Sequence, residues 1–127
     1  MQIDEAKLNV FMGKVVGDMG AAMSAVLVLI GDKLGLYRAL AEGPATSAEI
    51  AGRAGTAERY TREWLAAQAA AGYVEYDAAS GRYSMSPEQA LAFADEGSPA
   101  FVPGAFQIIS SMFRDEPKIT DAFRTGS

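Results

Sequence analysis

The sequence predicts a mainly α-helical fold: a winged helix-turn-helix with a two-stranded β wing, preceded by N-terminal helices and followed by a C-terminal linker helix. Three observations predict it. Apolar residues recur every three or four positions near both ends of the chain, which indicates amphipathic helices. Capping residues and helix-ending glycines mark two short helices in the middle. The β-prone runs YVEY and RYSM, joined by DAASG, then predict a hairpin.

The composition narrows the function classes. The chain has 127 residues, 50% of them hydrophobic, enough for one unit with a packed core. It has no cysteine and no histidine, which excludes disulfides, Cys/His zinc sites and histidine-activated nucleophiles. The first ten residues lack the basic and apolar regions of a signal peptide, and the longest apolar run, 19–31, is short for a membrane span. We therefore expect a cytoplasmic protein without a membrane segment.

The N-terminal segment, 1–41, is predicted to be a helical dimerisation segment. Residues 4–18 place their apolar side chains on one face, and Gly20 allows a bend before a second helix over 21–41. The run AVLVLI makes this second helix apolar on nearly all sides, so it needs cover on all sides. A second copy of the chain or a missing domain would supply that cover, and burial in the chain's own core is the alternative. The expected homodimer interface residues are Val26, Leu27, Leu29, Ile30 and Leu34.

The middle segment, 42–94, contains the helix-turn-helix and the wing. The spacing of Thr46 and Glu49 is that of a capping box and predicts a short helix. Thr56 is predicted to cap the second helix, which stops before a glycine. After the hairpin, Ser86 and the proline that follows it open a helix over 87–94.

The last segment, 95–127, is predicted to form linker helices toward a missing catalytic domain. AFVPGAFQIISSMF, residues 100–113, is an apolar helix that is irregular near Pro103. The tripeptide DEP is expected to break it, leaving one or two further helical turns before the sequence stops.

The second helix of a helix-turn-helix is where a DNA-reading protein presents its basic side chains. Here Glu58 and Arg62, and likewise Arg59 and Glu63, are four residues apart, so each arginine has a carboxylate on its own helix. In the predicted wing, Arg82 has two further acidic residues as neighbours, and the net charge of the chain is −5. Nucleic acid is therefore not the expected partner. The residues expected on the core face of this helix are Ala57, Tyr60, Trp64, Ala67 and Ala71.

A family resemblance rests on LGLYRALAEGPATSAEIA, which joins a helix end, a Gly-Pro turn and a T-x-x-E-φ-A helix. FMGKVVGDMGAAMSAVLVLIGDKLG upstream and SPAFVPGAF downstream make the pattern more specific. Over residues 4–126 the chain resembles the N-terminal region of class I S-adenosylmethionine (SAM)-dependent methyltransferases. The likeness is to a mycobacterial and actinobacterial group similar to O-methyltransferases.

The resemblance implies that the region dimerises the parent enzyme and covers the substrate pocket of the catalytic domain. It thus implies a homodimer, with SAM and a small-molecule acceptor bound by the full-length parent. The apolar residues expected to contribute to the substrate pocket are Phe11, Met12, Met19, Phe101, Phe106, Ile109, Met112 and Phe113.

The chain departs from this family in one respect. No strand is followed by the D-x-G-x-G loop that binds SAM, because VGDMG and GDKLG both lie in helical patterns. This chain alone is therefore not expected to bind SAM or transfer a methyl group, and no catalytic, cofactor-binding or metal-ligating residue is assigned. Two alternatives remain: a winged-helix DNA-binding transcriptional regulator, and a stand-alone dimerisation module.

Overall fold

The computed structural model describes residues 1–127 as six helices and one two-stranded antiparallel sheet, which confirms the predicted fold class. In chain order, the elements are α1 (Glu5–Leu34), α2 (Leu36–Ala41), α3 (Ser47–Ala54), α4 (Glu58–Ala70), β1 (Glu75–Asp77), β2 (Arg82–Ser84), α5 (Pro87–Phe93) and α6 (Pro103–Thr125). Helices α3 and α4 form the helix-turn-helix, and β1 and β2 form the wing.

Local capping fixes the ends of α3 and the start of α5. The Thr46 hydroxyl accepts from the Glu49 backbone N–H at 3.3 Å, and the Glu49 carboxylate accepts from the Thr46 N–H at 3.4 Å. This confirms the predicted capping box. Gly55 ends α3 with φ at +68°, a conformation that glycine adopts without strain. Ser86 and its partner three residues later form a second capping box, with Pro87 in the first turn of α5.

The wing is joined to the helical unit as well as to itself. Tyr76 pairs with Tyr83 across the two strands, and their ring centroids are 4.7 Å apart. Ala45, in the turn before α3, exchanges two backbone hydrogen bonds with Tyr83, at 2.9 and 2.8 Å. Partial burial raises the pKa of Tyr83, which keeps this phenol neutral. The hairpin is therefore anchored at its second strand to the start of the helix-turn-helix.

Tyr37 on α2 lies at the centre of the core. Its ring meets Trp64 of α4 edge-on, with centroids 4.9 Å apart, and lies 4.9 Å from Phe93 of α5. Its hydroxyl donates to the side-chain carbonyl of the buried Gln68. Burial raises the pKa of Tyr37, so the phenol remains protonated as a donor. The aliphatic side chains packed around this aromatic group include Val28, Leu36, Leu40, Ile50, Leu65 and Val74.

The predicted bend at Gly20 is wrong. Helix α1 continues from Glu5 to Leu34, and the interruption occurs at Gly35, which has φ at +71° and caps it. A glycine inside a helix costs only about 1 kcal/mol relative to alanine and keeps its N–H, so the flanking turns carry the helix through it. The predicted second helix over 21–41 is therefore the end of α1 followed by the separate helix α2.

The predicted core face of α4 is wrong by about one residue's rotation. Trp64 is buried as expected, but Tyr60 is 79% exposed, and Thr61 and Leu65 are buried instead. The predicted cap is also different, because Ala57 occupies the N-cap position without a side-chain bond. Of the other predicted members, Ala57 and Ala71 are exposed and Ala67 is half-buried. The small alanine side chain is compatible with either environment.

The predicted break at DEP is wrong as well. Helix α6 starts at Pro103 and continues through Pro117 to Thr125. Proline lacks the N–H that would bond one turn back, which costs about 3 kcal/mol inside a helix, but its fixed φ is helical. The turns on both sides of Pro117 keep the helix continuous.

Candidate functional site

The main exposed apolar feature of the structure is a stripe along α1. Its eight members are spaced by three or four residues, so they lie on one face of the helix over about 39 Å. All are large side chains left open to solvent, with Met23 71% exposed and Val26 56% exposed. The members of this α1 stripe are Leu8, Met12, Val16, Met19, Met23, Val26, Ile30 and Leu34.

The opposite face of the C-terminal half of α1 is fixed to the domain core. Ala25, Val28 and Gly31 are buried there. The Trp64 indole Nε1 donates to the backbone carbonyl of Leu27 at 2.8 Å. A Cβ on Gly31 would overlap the Trp64 ring and lie 2.8 Å from Tyr37, so the close approach requires glycine. The stripe is therefore presented by a helix whose orientation is fixed on its inner side.

The N-terminal half of α1 has few contacts of its own. Residues 1–20 are all exposed except Val15, which is half-buried. Asp4 caps this end by accepting from two backbone N–H groups, and Lys14 pairs with Asp18 at 3.0 Å on the helix surface. This half forms an arm that extends beyond the packed core.

An apolar cleft separates the C-terminal half of α1 from α6. It has a volume of about 340 Å³ and only one charged residue in its lining. Ile109 and Phe113, predicted as substrate-pocket residues, line this cleft together with Val26, Leu29 and Ile30, predicted as dimer-interface residues. The remaining lining residues, which the sequence did not single out, are Ala22, Ala25, Lys33 and Ser110.

The other predicted pocket residues lie elsewhere. Met112 is exposed on α6, and Phe106 is half-buried against the domain core. Phe101 is half-buried in the loop before α6. The α1–α6 cleft contains none of Phe11, Met12 and Met19, which are exposed on the arm of α1. The α1–α6 cleft thus contains two of the eight predicted pocket residues, and a second apolar cavity on α6 is lined by Ile109, Met112 and Phe113.

The five predicted dimer residues divide into two sets. Val26, Ile30 and Leu34 are exposed members of the α1 stripe. Leu27 and Leu29 are half-buried, with Leu27 packed against the core and Leu29 in the cleft. Met23, the most exposed member of the stripe, is not among the predicted residues. Its spacing of four from Met19 and three from Val26 places it on the same face of a helix that is continuous through Gly20.

The arginines of the helix-turn-helix and wing are largely committed to neighbours. Arg53 donates to the carbonyls of Ala39 and Gly43 at 3.0 and 2.9 Å. Arg62 pairs with Glu58 at 3.7 Å, as predicted.

The remaining two arginines differ from the prediction. Arg82 pairs with Glu49 at 3.4 Å rather than with the wing carboxylates. Arg59 is exposed and makes no ion pair with Glu63. The recognition helix therefore offers one uncommitted arginine to a nucleic acid.

No group of three or more acidic, histidine or cysteine side chains is arranged to hold a metal ion. The segments VGDMG and GDKLG both lie in or directly after α1, and the single sheet is an antiparallel hairpin. A SAM site of the Rossmann type needs a strand that leads through a glycine-rich loop into a helix. The residues of this chain do not fit that group.

Helix α1 has the length and composition of a membrane-spanning helix, with a mean hydropathy of 1.6 over its most apolar 18-residue window. Of that window, 17% is buried inside the protein. Such a single helix is weak support for a membrane span.

Comparison with solved structures gives the same fold in methyltransferases. The mitomycin 7-O-methyltransferase MmcR superposes with a TM-score of 0.79 at 23% identity, covering 98% of this chain and 37% of MmcR. Human N-acetylserotonin methyltransferase in complex with SAM gives 0.71 at 18% identity, covering 98% of this chain and 36% of that one. PigF with SAH gives 0.67 at 22% identity, with 98% and 34% covered.

This chain thus spans about a third of the length of these structures, and it corresponds to their N-terminal portion. At this level of identity, the likeness shows the fold alone. No curated protein matches the sequence. A family profile described as the Rv2258c-like winged helix-turn-helix domain matches residues 22–94, more than half of the chain. The protein therefore belongs to the family of Rv2258c-like winged helix-turn-helix domains.

Proposed function

We propose that this chain is the dimerisation and substrate-pocket-covering region of a SAM-dependent methyltransferase that acts on a small molecule. One observation carries the proposal: a large exposed apolar surface on α1 and α6 flanks a winged unit whose structural counterparts are parts of methyltransferases. Contiguous apolar surface of this extent marks an interaction site in a soluble protein.

The α1 stripe supports the dimerisation part of the proposal. Burial of a large aliphatic side chain is worth about 1.5–3 kcal/mol, so eight such side chains in water are a strong drive for association. The opposite face of the C-terminal half of α1 is already covered by the core, so the stripe is the face that a second copy would cover. The partner is a second copy of the chain, which gives a homodimer.

The cleft and α6 support the pocket-covering part. Ligand pockets for small molecules are mostly apolar with a few polar groups, and the α1–α6 cleft has this character. Ile109, Met112 and Phe113 of α6 provide apolar surface that would bind the acceptor, orient it and exclude water. No residue of this chain is assigned a chemical step.

SAM belongs to the parent enzyme in this proposal and not to the present chain. The neighbouring structures named with SAM or SAH are roughly three times longer than this chain. Because the residues here do not fit the SAM site, we assign the cofactor and methyl transfer to a catalytic part of a longer parent. In this proposal the parent enzyme acts in the cytoplasm, and α1 is covered by a second protein copy rather than by lipid.

A DNA-binding regulator is the competing function for a winged helix-turn-helix. The commitment of Arg53, Arg62 and Arg82 to protein groups and the net charge of −5 oppose it. The fold alone does not decide between these functions, because the same fold serves several of them.

The reading frame beyond the codon for Ser127 tests the proposal. We expect it to encode a strand, a glycine-rich loop and a helix. Calorimetry should show SAH binding to the longer protein and none to residues 1–127. A stop codon at this point, together with a dimeric chain, would instead support a stand-alone dimerisation module. SAH binding to the present chain would contradict the assignment of the cofactor to the missing part.

A further inference from the structure

The α1 stripe is symmetric about its own midpoint. Met19 and Met23 lie two residues on either side of Ala21, and Val16 and Val26 lie five residues on either side. Met12 pairs in the same way with Ile30, and Leu8 with Leu34. All eight members of the stripe therefore fall into four pairs around one residue.

This symmetry matters because a two-fold dimer presents the same surface from both copies, so each residue must find its counterpart on the partner. Two antiparallel α1 helices whose two-fold axis passes between Met19 and Met23 place each member of the stripe opposite a large apolar residue. Met12 would then face Ile30 of the second copy, and Leu8 would face Leu34. No member of the stripe is left without an apolar partner.

The charges at the two ends of α1 favour the same orientation. The first turn carries Glu5 and the last turn carries Lys33, which lines the α1–α6 cleft beside the stripe. Antiparallel helices bring Glu5 of one copy near Lys33 of the other, whereas parallel helices bring each of these residues near its own copy. The helix dipoles also attract in the antiparallel arrangement.

We infer that α1 pairs with α1 of a second copy as an antiparallel two-helix interface, with its two-fold axis at the level of Ala21, between Met19 and Met23 on the stripe face. This inference rests on the proposed dimerisation and specifies its orientation and register. Each arm then lies along the C-terminal half of the partner's α1, and the grooves on either side of Ile30 border the seam. The stripe face of the arm is thereby covered, although its own chain leaves it exposed.

Disulfide trapping tests this register, since the chain contains no cysteine. The two variants are Met12→Cys and Ile30→Cys, both at exposed positions. In the antiparallel dimer, the two copies of residue 12 are separated by about 27 Å, the rise of 18 helical residues. A disulfide needs Cβ atoms within about 4.5 Å. Each variant alone should therefore remain uncrosslinked under mild oxidation.

An equimolar mixture of the two variants, equilibrated before oxidation, should give a covalent heterodimer containing about half of the chains, the share that random pairing allows. Sedimentation of the same samples under reducing conditions reports dimerisation independently. Efficient crosslinking of Met12→Cys alone would overturn the antiparallel register and leave the dimer intact. A reduced dimer that crosslinks in no sample would place the interface elsewhere. A reduced monomer would contradict the proposed dimerisation itself.

Discussion

Trp64 on α4 donates a hydrogen bond from its indole nitrogen to the main-chain carbonyl of Leu27 on α1, at 2.8 Å. The bond joins the recognition-type helix to the helix that carries the apolar stripe. It also occupies the only hydrogen-bonding group of the indole, so this end of Trp64 serves packing rather than ligand recognition. The helix-turn-helix here acts as a support that sets the orientation of α1.

Replacement of Gly31 by alanine tests this support. The added methyl group would collide with the rings of Trp64 and Tyr37. We expect a loss of about 1–3 kcal/mol in the free energy of unfolding, measured by urea denaturation. Gly52→Ala in α3 is the matched control, because its Cβ meets no atom within 4 Å, and it should stabilise the protein by about 0.5–1 kcal/mol. Equal stability of the two variants would contradict the close packing at Gly31.

The capping box makes a prediction about pH. Hydrogen bonds from the Thr46 backbone N–H and hydroxyl hold the pKa of Glu49 below its ordinary value. A lowered folded-state pKa contributes stability above the unfolded pKa of about 4.3, and this stability is lost as pH falls through the folded pKa. Carboxyl NMR titration should show the lowered pKa. Thr46→Ala removes the hydroxyl but keeps the backbone N–H, so it should raise the pKa in part, and Thr46→Ser should preserve it. No response to Thr46→Ala would assign the whole shift to the backbone N–H.

The ends of α1 should be coupled electrostatically across the dimer. Glu5→Lys should weaken dimerisation on the order of tenfold, because the symmetric interface contains the affected pair twice. Lys33→Glu added to the same chain should recover most of the loss, and high salt should reduce both effects. Glu75→Lys, at an exposed position on the wing, makes the same change in net charge as Glu5→Lys and serves as the control. If the double variant is as weak as the two losses combined, the two residues do not meet.

The uncommitted Arg59 allows a direct test of nucleic-acid binding. At low salt and about 10 μM protein, fluorescence anisotropy should show no saturable binding to duplex DNA. The acidic chain and the paired arginines leave too few free cations to neutralise phosphates. Binding that weakens steeply with salt and is lost in Arg59→Ala would favour the regulator over the methyltransferase region.

Local signals in the sequence were sufficient to predict the helices of the helix-turn-helix and the strands of the wing. Capping boxes at Thr46 and Ser86 involve residues three apart, so the sequence alone contains the whole interaction. The core face of α4 was harder to predict from the sequence. Trp64 and Tyr60 are both aromatic, and only packing against α1 and α2 decides which of them is buried. The continuity of α1 through Gly20 also depends on the flanking turns.

Only part of the candidate site could be predicted, because the rest depends on contacts between residues that are far apart in the sequence. The apolar character of the helix around AVLVLI predicted Val26, Ile30 and Leu34 as positions that need cover, and the structure leaves all three exposed. The meeting of Ile109 and Phe113 with α1 depends on how α6 folds back along the chain. Contacts between residues about 80 positions apart leave no periodic signal in the sequence.

Sedimentation velocity at micromolar concentration, on the wild-type chain and on Val26→Asp, is the most direct test of dimerisation through α1. The wild type should sediment as a dimer. Val26→Asp should sediment as a folded monomer, because the buried carboxylate would have no partner across the seam. Leu91→Asp, at an exposed apolar position on α5, should remain a dimer. A wild-type monomer, or a Val26→Asp variant that dimerises as tightly as the wild type, would contradict an interface built on the α1 stripe.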